Sequence, residues 1–142
     1  MIERVISAMT IISGNGKRFI DVGTSDVFYS LRSTVEILLK NDKDIGKARA
    51  FLRTGKCLPD EAWETARQFN LIRDKLSRFA PDQFVYDIDH PQMDAPWKEQ
   101  LSTVITSCGN LFITADGKDL LYEIVSILCY AHVVKSNVEM MS

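Results

Sequence analysis

The sequence predicts an α+β fold, in which a small, largely antiparallel sheet packs against several helices, including a buried C-terminal helix. Its 142 residues lie within the usual size of one domain, and 46% of them are hydrophobic, which is enough for one core. Over several long segments, apolar side chains recur at intervals of three and four residues, as amphipathic helices require. Short apolar or β-branched runs bounded by Gly, Asn, Pro or Asp predict strands. A single domain is therefore expected over residues 1–142.

The N-terminal part predicts a β-hairpin followed by a helix. An apolar run over residues 5–12 precedes Ser13-Gly14-Asn15-Gly16, and residues 17–22 alternate in polarity. Gly and Asn tolerate the positive φ of a hairpin turn, so this stretch can reverse the chain. Thr24 or Ser25 is placed to cap the helix that follows. The apolar positions of this helix are Val27, Phe28, Leu31, Val35, Leu38 and Leu39.

Two more helices are predicted before residue 80. The first covers about residues 44–54 and ends at Gly55, because glycine readily adopts the left-handed conformation that closes many helices. Pro59 suits the first turn of the second helix, and acidic residues follow it where the helix dipole favours them. This helix is expected to reach Phe79. Its apolar face consists of Ala62, Ala66, Phe69, Ile72, Leu76 and Phe79.

The remainder of the chain predicts two strands and a last helix. The β-branched and aromatic run at residues 84–88 predicts one strand, and residues 110–114 predict another. The last helix is expected over about residues 118–134, with Asp116 as its N-cap. It is apolar nearly all round, so it should lie between the sheet and the other helices. Residues 136–142 are expected to fray.

Three motifs in this second half resemble one known family. Residues 79–88 have the pattern F-x-P-D-x-F-V-Y-D-I, residues 95–97 are A-P-W, and residues 111–121 are L-F-I-T-A-D-G-K-D-L-L. In this order the motifs resemble the immunity protein 70 family, the cytoplasmic antidotes of bacterial polymorphic and contact-dependent toxins. The Gly-rich turn and the helix that contains Val27 are compatible with the same family. The resemblance covers most of the chain and implies a protein partner and no active site.

Composition and charge narrow the classes of function. A formal net charge of −2 contrasts with the basic excess of general nucleic-acid binders. No apolar run reaches the roughly 18 residues of a membrane span, and no basic region precedes the first apolar residues as in a signal peptide. The cytoplasm is the expected location, and neither a membrane nor a nucleic acid is an expected partner. Cys57, Cys108 and Cys129 form no C-x-x-C pair, so reduced thiols are expected.

No catalytic or metal-binding signature is found in the sequence. Residues 87–94 offer three carboxylates and His90 to a cation, but no Gly-punctuated calcium-loop pattern orders them. Ser107-Cys108-Gly109 lacks the pattern of a nucleophile elbow, and His132 on the apolar helix is interpreted as a core histidine. The sequence therefore predicts a protein that is not an enzyme and takes no cofactor, metal or small-molecule substrate.

Charge also indicates a candidate surface for the protein partner. Residues 82–99 carry five acidic side chains and one lysine. Such a loop can imitate the phosphate backbone that a nuclease recognises, and complementary charge speeds association. The preferred hypothesis is a stoichiometric inhibitor of the C-terminal domain of a cognate toxin, since many toxins of these systems are nucleases. Trp97 either covers the core or anchors the interface. The candidate partner-binding residues are Asp82, Asp87, Asp89, Asp94, Trp97 and Glu99.

A rival function belongs to another class. Residues 43–78 carry nine Lys and Arg against five Asp and Glu, so this region is locally basic. A small nucleic-acid-binding or regulatory module would use these cations and would bind in a salt-sensitive manner. A solvated helix face explains the same charges without any ligand. The residues concerned are Lys47, Arg49, Arg53, Arg67, Arg73 and Arg78.

Overall fold

The computed structural model describes residues 8–95 and 101–142, which form four α-helices and one four-stranded antiparallel sheet. This architecture confirms the predicted α+β class. In chain order the elements are β1 (Ala8–Ser13), β2 (Phe19–Thr24), α1 (Ser25–Leu38), α2 (Gly46–Thr54), β3 (Lys56–Cys57), α3 (Pro59–Leu76), a 3₁₀ turn (Pro81–Gln83), α4 (Leu120–Val134) and β4 (Val138–Met141).

The predicted hairpin is confirmed, whereas the predicted fraying of residues 136–142 is wrong. The strand order is β2-β1-β4-β3, so β4 lies inside the sheet with a partner on each side. Val138 is fully buried and is paired with Ser13 on one side and Cys57 on the other. Four residues are too few to show a clear period of two, which is why this strand could not be recognised from the sequence.

The core lies between one face of the sheet and the four helices. α4 packs against α3 and the sheet, and its side chains Leu120, Ile124 and Leu128 are fully buried. Three phenylalanines from three helices meet edge to face: the ring centroids of Phe28 and Phe51 are 6.4 Å apart, and those of Phe51 and Phe69 are 5.8 Å apart. Burial of each such ring stabilises the fold by roughly 1.5–3 kcal/mol.

Two predicted strands are wrong. Residues 84–88 form no ladder, because their backbone groups bond to side chains of α1. Residues 110–114 make a single isolated bridge, between Ile113 and Asp119. β-Branched and aromatic composition favours an extended segment that packs against a surface. Both segments are mostly buried, but neither has a neighbouring strand.

Two helix boundaries also differ from the prediction. Asp119, and not Asp116, caps α4, since its carboxylate accepts a hydrogen bond from the Tyr122 N–H at 3.2 Å. The Asp116 carboxylate instead accepts a hydrogen bond from the Thr114 hydroxyl within the preceding turn. α3 ends at Leu76, one turn before the predicted end at Phe79. The chain therefore leaves the helix before the acidic residues that start at Asp82.

Helix ends without their own caps are closed by side chains from other elements. The residue before α2 is Ile45, which has no polar side chain, and the Gln68 side-chain oxygen accepts from the N–H groups of Lys47 and Ala48 at 2.7 and 3.0 Å. At the C-terminal end of α1, the Arg49 guanidinium donates to the Leu39 carbonyl at 2.8 Å. Tertiary contacts therefore fix the positions of these two helices.

Candidate partner-binding surface

The acidic loop, defined as residues 82–95, begins at the 3₁₀ turn after α3. Asp82 lies in that turn and is exposed, as are Asp89 and Asp94 further along. In the described part of the chain, no cation forms an ion pair with Asp82 or Asp89. Three of the predicted partner-binding carboxylates are thus on the surface of one loop. Trp97 and Glu99 lie outside the described residues.

A second segment of the chain holds the start of the acidic loop. The Cys108 N–H donates to the Phe79 carbonyl at 3.0 Å, and its thiol lies 3.2 Å from the Ala80 carbonyl oxygen. Gly109 lies so close to α3 that an added Cβ would be 2.9 Å from the Arg73 carbonyl oxygen. Since any larger residue would meet the helix backbone, glycine permits this close packing.

Buried hydroxyl groups on α1 hold the middle of the loop. The Ser30 hydroxyl donates to the Tyr86 carbonyl at 3.1 Å, and the Ser33 hydroxyl accepts from the Ile88 N–H at 3.0 Å. The Thr34 hydroxyl contacts both backbone groups of Val85, at 2.9 and 3.1 Å. These groups replace the neighbouring strand that an extended segment normally requires.

Asp87 differs from the other predicted carboxylates because it is only 7% exposed. One carboxylate oxygen accepts from the Asp89 N–H at 2.9 Å, and the other lies 3.6 Å from the His90 Nδ1. The His90 N–H donates in turn to the Asp87 carbonyl at 3.1 Å. This residue therefore shapes the turn that carries Asp89, and it offers little surface to a partner.

A polar cleft of about 260 Å³ lies between the two ends of the acidic loop. Asp82 and Asp94 both line it, together with Gln83 and Gln92. Two carboxylates that line one cleft favour the entry of a cationic side chain, because their fields add within it. The cleft has room for the end of a Lys or Arg side chain.

The basic residues of the rival function are all engaged in ion pairs. Each of the six has a carboxylate within 4 Å, which neutralises much of its field. The nitrogen-to-oxygen distances are 3.1 Å for Lys47 to Glu61, 3.7 Å for Arg49 to Glu36, 2.8 Å for Arg53 to Glu36, 2.5 Å for Arg67 to Glu64, 3.6 Å for Arg73 to Asp119 and 3.1 Å for Arg78 to Asp74.

An exposed aromatic pair was missed by the sequence interpretation. His132 is on the surface, and its ring lies 5.3 Å from that of Trp63, which is 57% exposed, so the assignment of a core histidine is wrong. Tyr122 and Val133 of α4 are also exposed. The sequence did contain a signal for these exposed residues. α4 is apolar nearly all round, so it must expose apolar side chains wherever one of its faces meets water.

The two buried thiols, Cys57 and Cys108, are poor nucleophiles. Burial raises the pKa of Cys108 to about 12, and it also raises the pKa of Cys57. Among residues 8–95 and 101–142, no three His, Cys, Asp or Glu side chains come together as a metal-binding group. In the same residues, no helix has both the length and the apolar character needed to cross a bilayer.

Comparison with known proteins gives one match. The family model of immunity protein 70 matches residues 10–140, which is nearly the whole chain. No curated protein and no solved structure matches. The matched range includes the hairpin from Thr10 onwards, the four helices described above and the acidic loop.

Proposed function

The chain belongs to the immunity protein 70 family, and from this premise we propose that it neutralises a cognate bacterial toxin by binding the C-terminal toxin domain in a stoichiometric complex. The toxin belongs to a contact-dependent or other polymorphic system, and the complex forms in the cytoplasm. The toxin domain is a nuclease, whose substrate-binding surface is basic because it must attract phosphates. The immunity protein acts by occupying this surface and has no catalytic step of its own.

The observation that carries this proposal is the set of exposed carboxylates on the acidic loop. Asp82, Asp89 and Asp94 lie on the surface of the loop, and two of them line the polar cleft. A basic side chain of the toxin enters the cleft, while Asp89 meets a second cation outside it. Opposite charges on the two proteins also raise the rate of encounter.

The rival function, a nucleic-acid-binding module, has weaker support. Its six cations pair with only five carboxylates of the same chain, since Arg49 and Arg53 share Glu36, so these ion pairs leave about one unit of net positive charge for phosphates. A mobility-shift assay at low salt separates the two functions. The immunity protein should leave both DNA and RNA unshifted, whereas a salt-sensitive shift would favour the rival.

The proposal predicts the effect of replacing Asp82, Asp89 and Asp94 together by Asn. The three side chains keep their size but lose their charge, so the protein should fold and the association rate with the toxin domain should fall about tenfold at low salt. In high salt the difference should shrink, because exposed charges are screened. Surface plasmon resonance with the toxin domain encoded beside this gene measures both rates.

A matched control replaces Asp21, Asp44 and Asp60 by Asn. This variant also loses three exposed carboxylates, but from surfaces far along the chain from the acidic loop. It should associate at nearly the wild-type rate. If both variants slow association equally, general net charge accounts for the effect and the acidic loop is not the binding surface.

A further inference from the structure

The acidic loop is held by side chains that do not face a partner. Residues 84–88 have the composition of a strand, yet α1 satisfies their backbone through Ser30, Ser33 and Thr34. All three side chains are fully buried. Ser, Thr and other polar residues in a helix usually face water or its own backbone, so three that face the same segment form a specific attachment site.

The attachment ends next to an exposed carboxylate. The Ser33 hydroxyl holds the N–H of Ile88, and the buried Asp87 carboxylate holds the N–H of Asp89. Asp89 is the first exposed acidic residue after these contacts. The hydrogen bonds therefore determine the position from which the Asp89 side chain meets solvent.

We propose that Ser33, Thr34 and Asp87 are positioning residues, which fix the acidic loop in its binding conformation before the toxin arrives. This inference rests on the proposed function and adds to it which side chains hold the loop in its binding conformation. A free loop samples many conformations, and apparent affinity falls in proportion to the fraction that can bind. Buried hydrogen bonds keep this fraction high without any contact to the partner.

The test compares two threonines that are equally buried. Thr34→Val removes the hydroxyl that holds Val85, whereas Thr65→Val removes a buried hydroxyl that contacts Cys57 in a different part of the fold. The probe is the toxin domain encoded beside this gene. Thr34→Val should weaken binding by about threefold to tenfold or more, since it removes both hydrogen bonds that hold Val85, and each lost hydrogen bond shifts the loop equilibrium by about that order. Thr65→Val should change binding less than about twofold.

Hydrogen exchange provides a readout that needs no partner. The amides of Val85, Ile88 and Asp89 should exchange slowly in the wild type and faster in Thr34→Val, while Thr65→Val leaves them protected. If Thr34→Val fails to fold, Ser33→Ala provides the same comparison with one lost hydrogen bond. Unprotected amides in the folded wild-type protein would overturn the inference.

A double-mutant cycle separates positioning from general stability. If Ser33 acts through Asp89, Ser33→Ala should cost about threefold or more in affinity in the wild type and less than about twofold in an Asp89→Asn background. If the two substitutions weaken binding independently, so that their fold-changes in affinity multiply, Ser33 has no positioning role. The proposed function is then unaffected. A wild-type protein that fails to bind the toxin domain overturns both.

Discussion

Asp42 lies in a charged network that closes the end of α1. Its carboxylate forms an ion pair with Lys75 of α3, while the Arg49 guanidinium donates to the Asp42 carbonyl at 3.1 Å. The hydrogen bond from Lys75 holds the pKa of the Asp42 carboxyl below its usual value, with a further contribution from the Asp44 N–H. One residue thereby joins α1, α2 and α3.

Asp42→Asn should destabilise the fold by about 1–2 kcal/mol at pH 7, because the charged partner of Lys75 is lost. The lowered pKa means that ionised Asp42 stabilises the native state above the unfolded pKa of about 4, and that this contribution disappears as pH falls through the folded pKa. Urea unfolding at pH 7, 5 and 3 should show the gap between variant and wild type narrowing only at the lowest pH. A constant gap would contradict this role.

Gln68 provides a second single-residue test. Gln68→Leu removes the oxygen that closes the start of α2, and it leaves the N–H groups of Lys47 and Ala48 without their acceptor. The free energy of unfolding should fall by about 1–3 kcal/mol. Asn70→Leu on the same helix is the control, because Asn70 is exposed, and it should stay within about 0.5 kcal/mol of the wild type. Equal losses in both variants would mean that the cap contributes nothing.

The strand β4 is the element whose importance the sequence least revealed. Val138→Asp would place a carboxylate between β1 and β3 at a fully buried position. Loss of more than about 3 kcal/mol is expected, because a buried unpaired charge is strongly disfavoured. Met141→Asp, on an exposed side chain of the same strand, should be nearly neutral. Thermal melting of both variants measures the difference in stability. If Val138→Asp melts at nearly the wild-type temperature, β4 is not buried between β1 and β3.

The elements that could be predicted are those with a local signal. The hairpin, the helices and Gly55 as a left-handed helix end follow from periodicity and glycine chemistry. The extended segment at residues 84–88 was recognised, but its partner was not, because three hydroxyls on a helix more than 50 residues away leave no pattern near it. The sequence indicates which segment has backbone groups that need hydrogen-bond partners. Only the tertiary structure shows which side chains provide them.

The residues of the candidate surface also divide into those whose position the sequence predicts and those for which it does not. Exposed Asp82, Asp89 and Asp94 follow from a polar loop of high acidic content, which sequence can recognise. The inward orientation of Asp87 could not be predicted, since Asp on a loop is usually solvated and only the turn geometry directs this one inward. The neutralisation of Arg53 by Glu36 is equally non-local, because the two residues lie on different helices.

One hydrophobic cluster runs through the described residues, from Ile11 in β1 to Val138 in β4. It includes side chains from α1, α2, α3 and α4, so no element is packed separately from the rest. The expectation of a single domain therefore predicts one cooperative unfolding transition. Far-UV circular dichroism and tryptophan fluorescence should give coincident urea midpoints. Two separate midpoints would divide the chain into independently folding parts.

The central position of β4 links the fold to protein synthesis. Residues 138–141 are synthesised after the other elements described above, yet β1 needs them for the pairing on its second edge. Helices can form as the chain emerges, but the sheet closes only when translation has passed residue 141. A chain cut short before β4 lacks the middle of its sheet, so we expect proteases to degrade it.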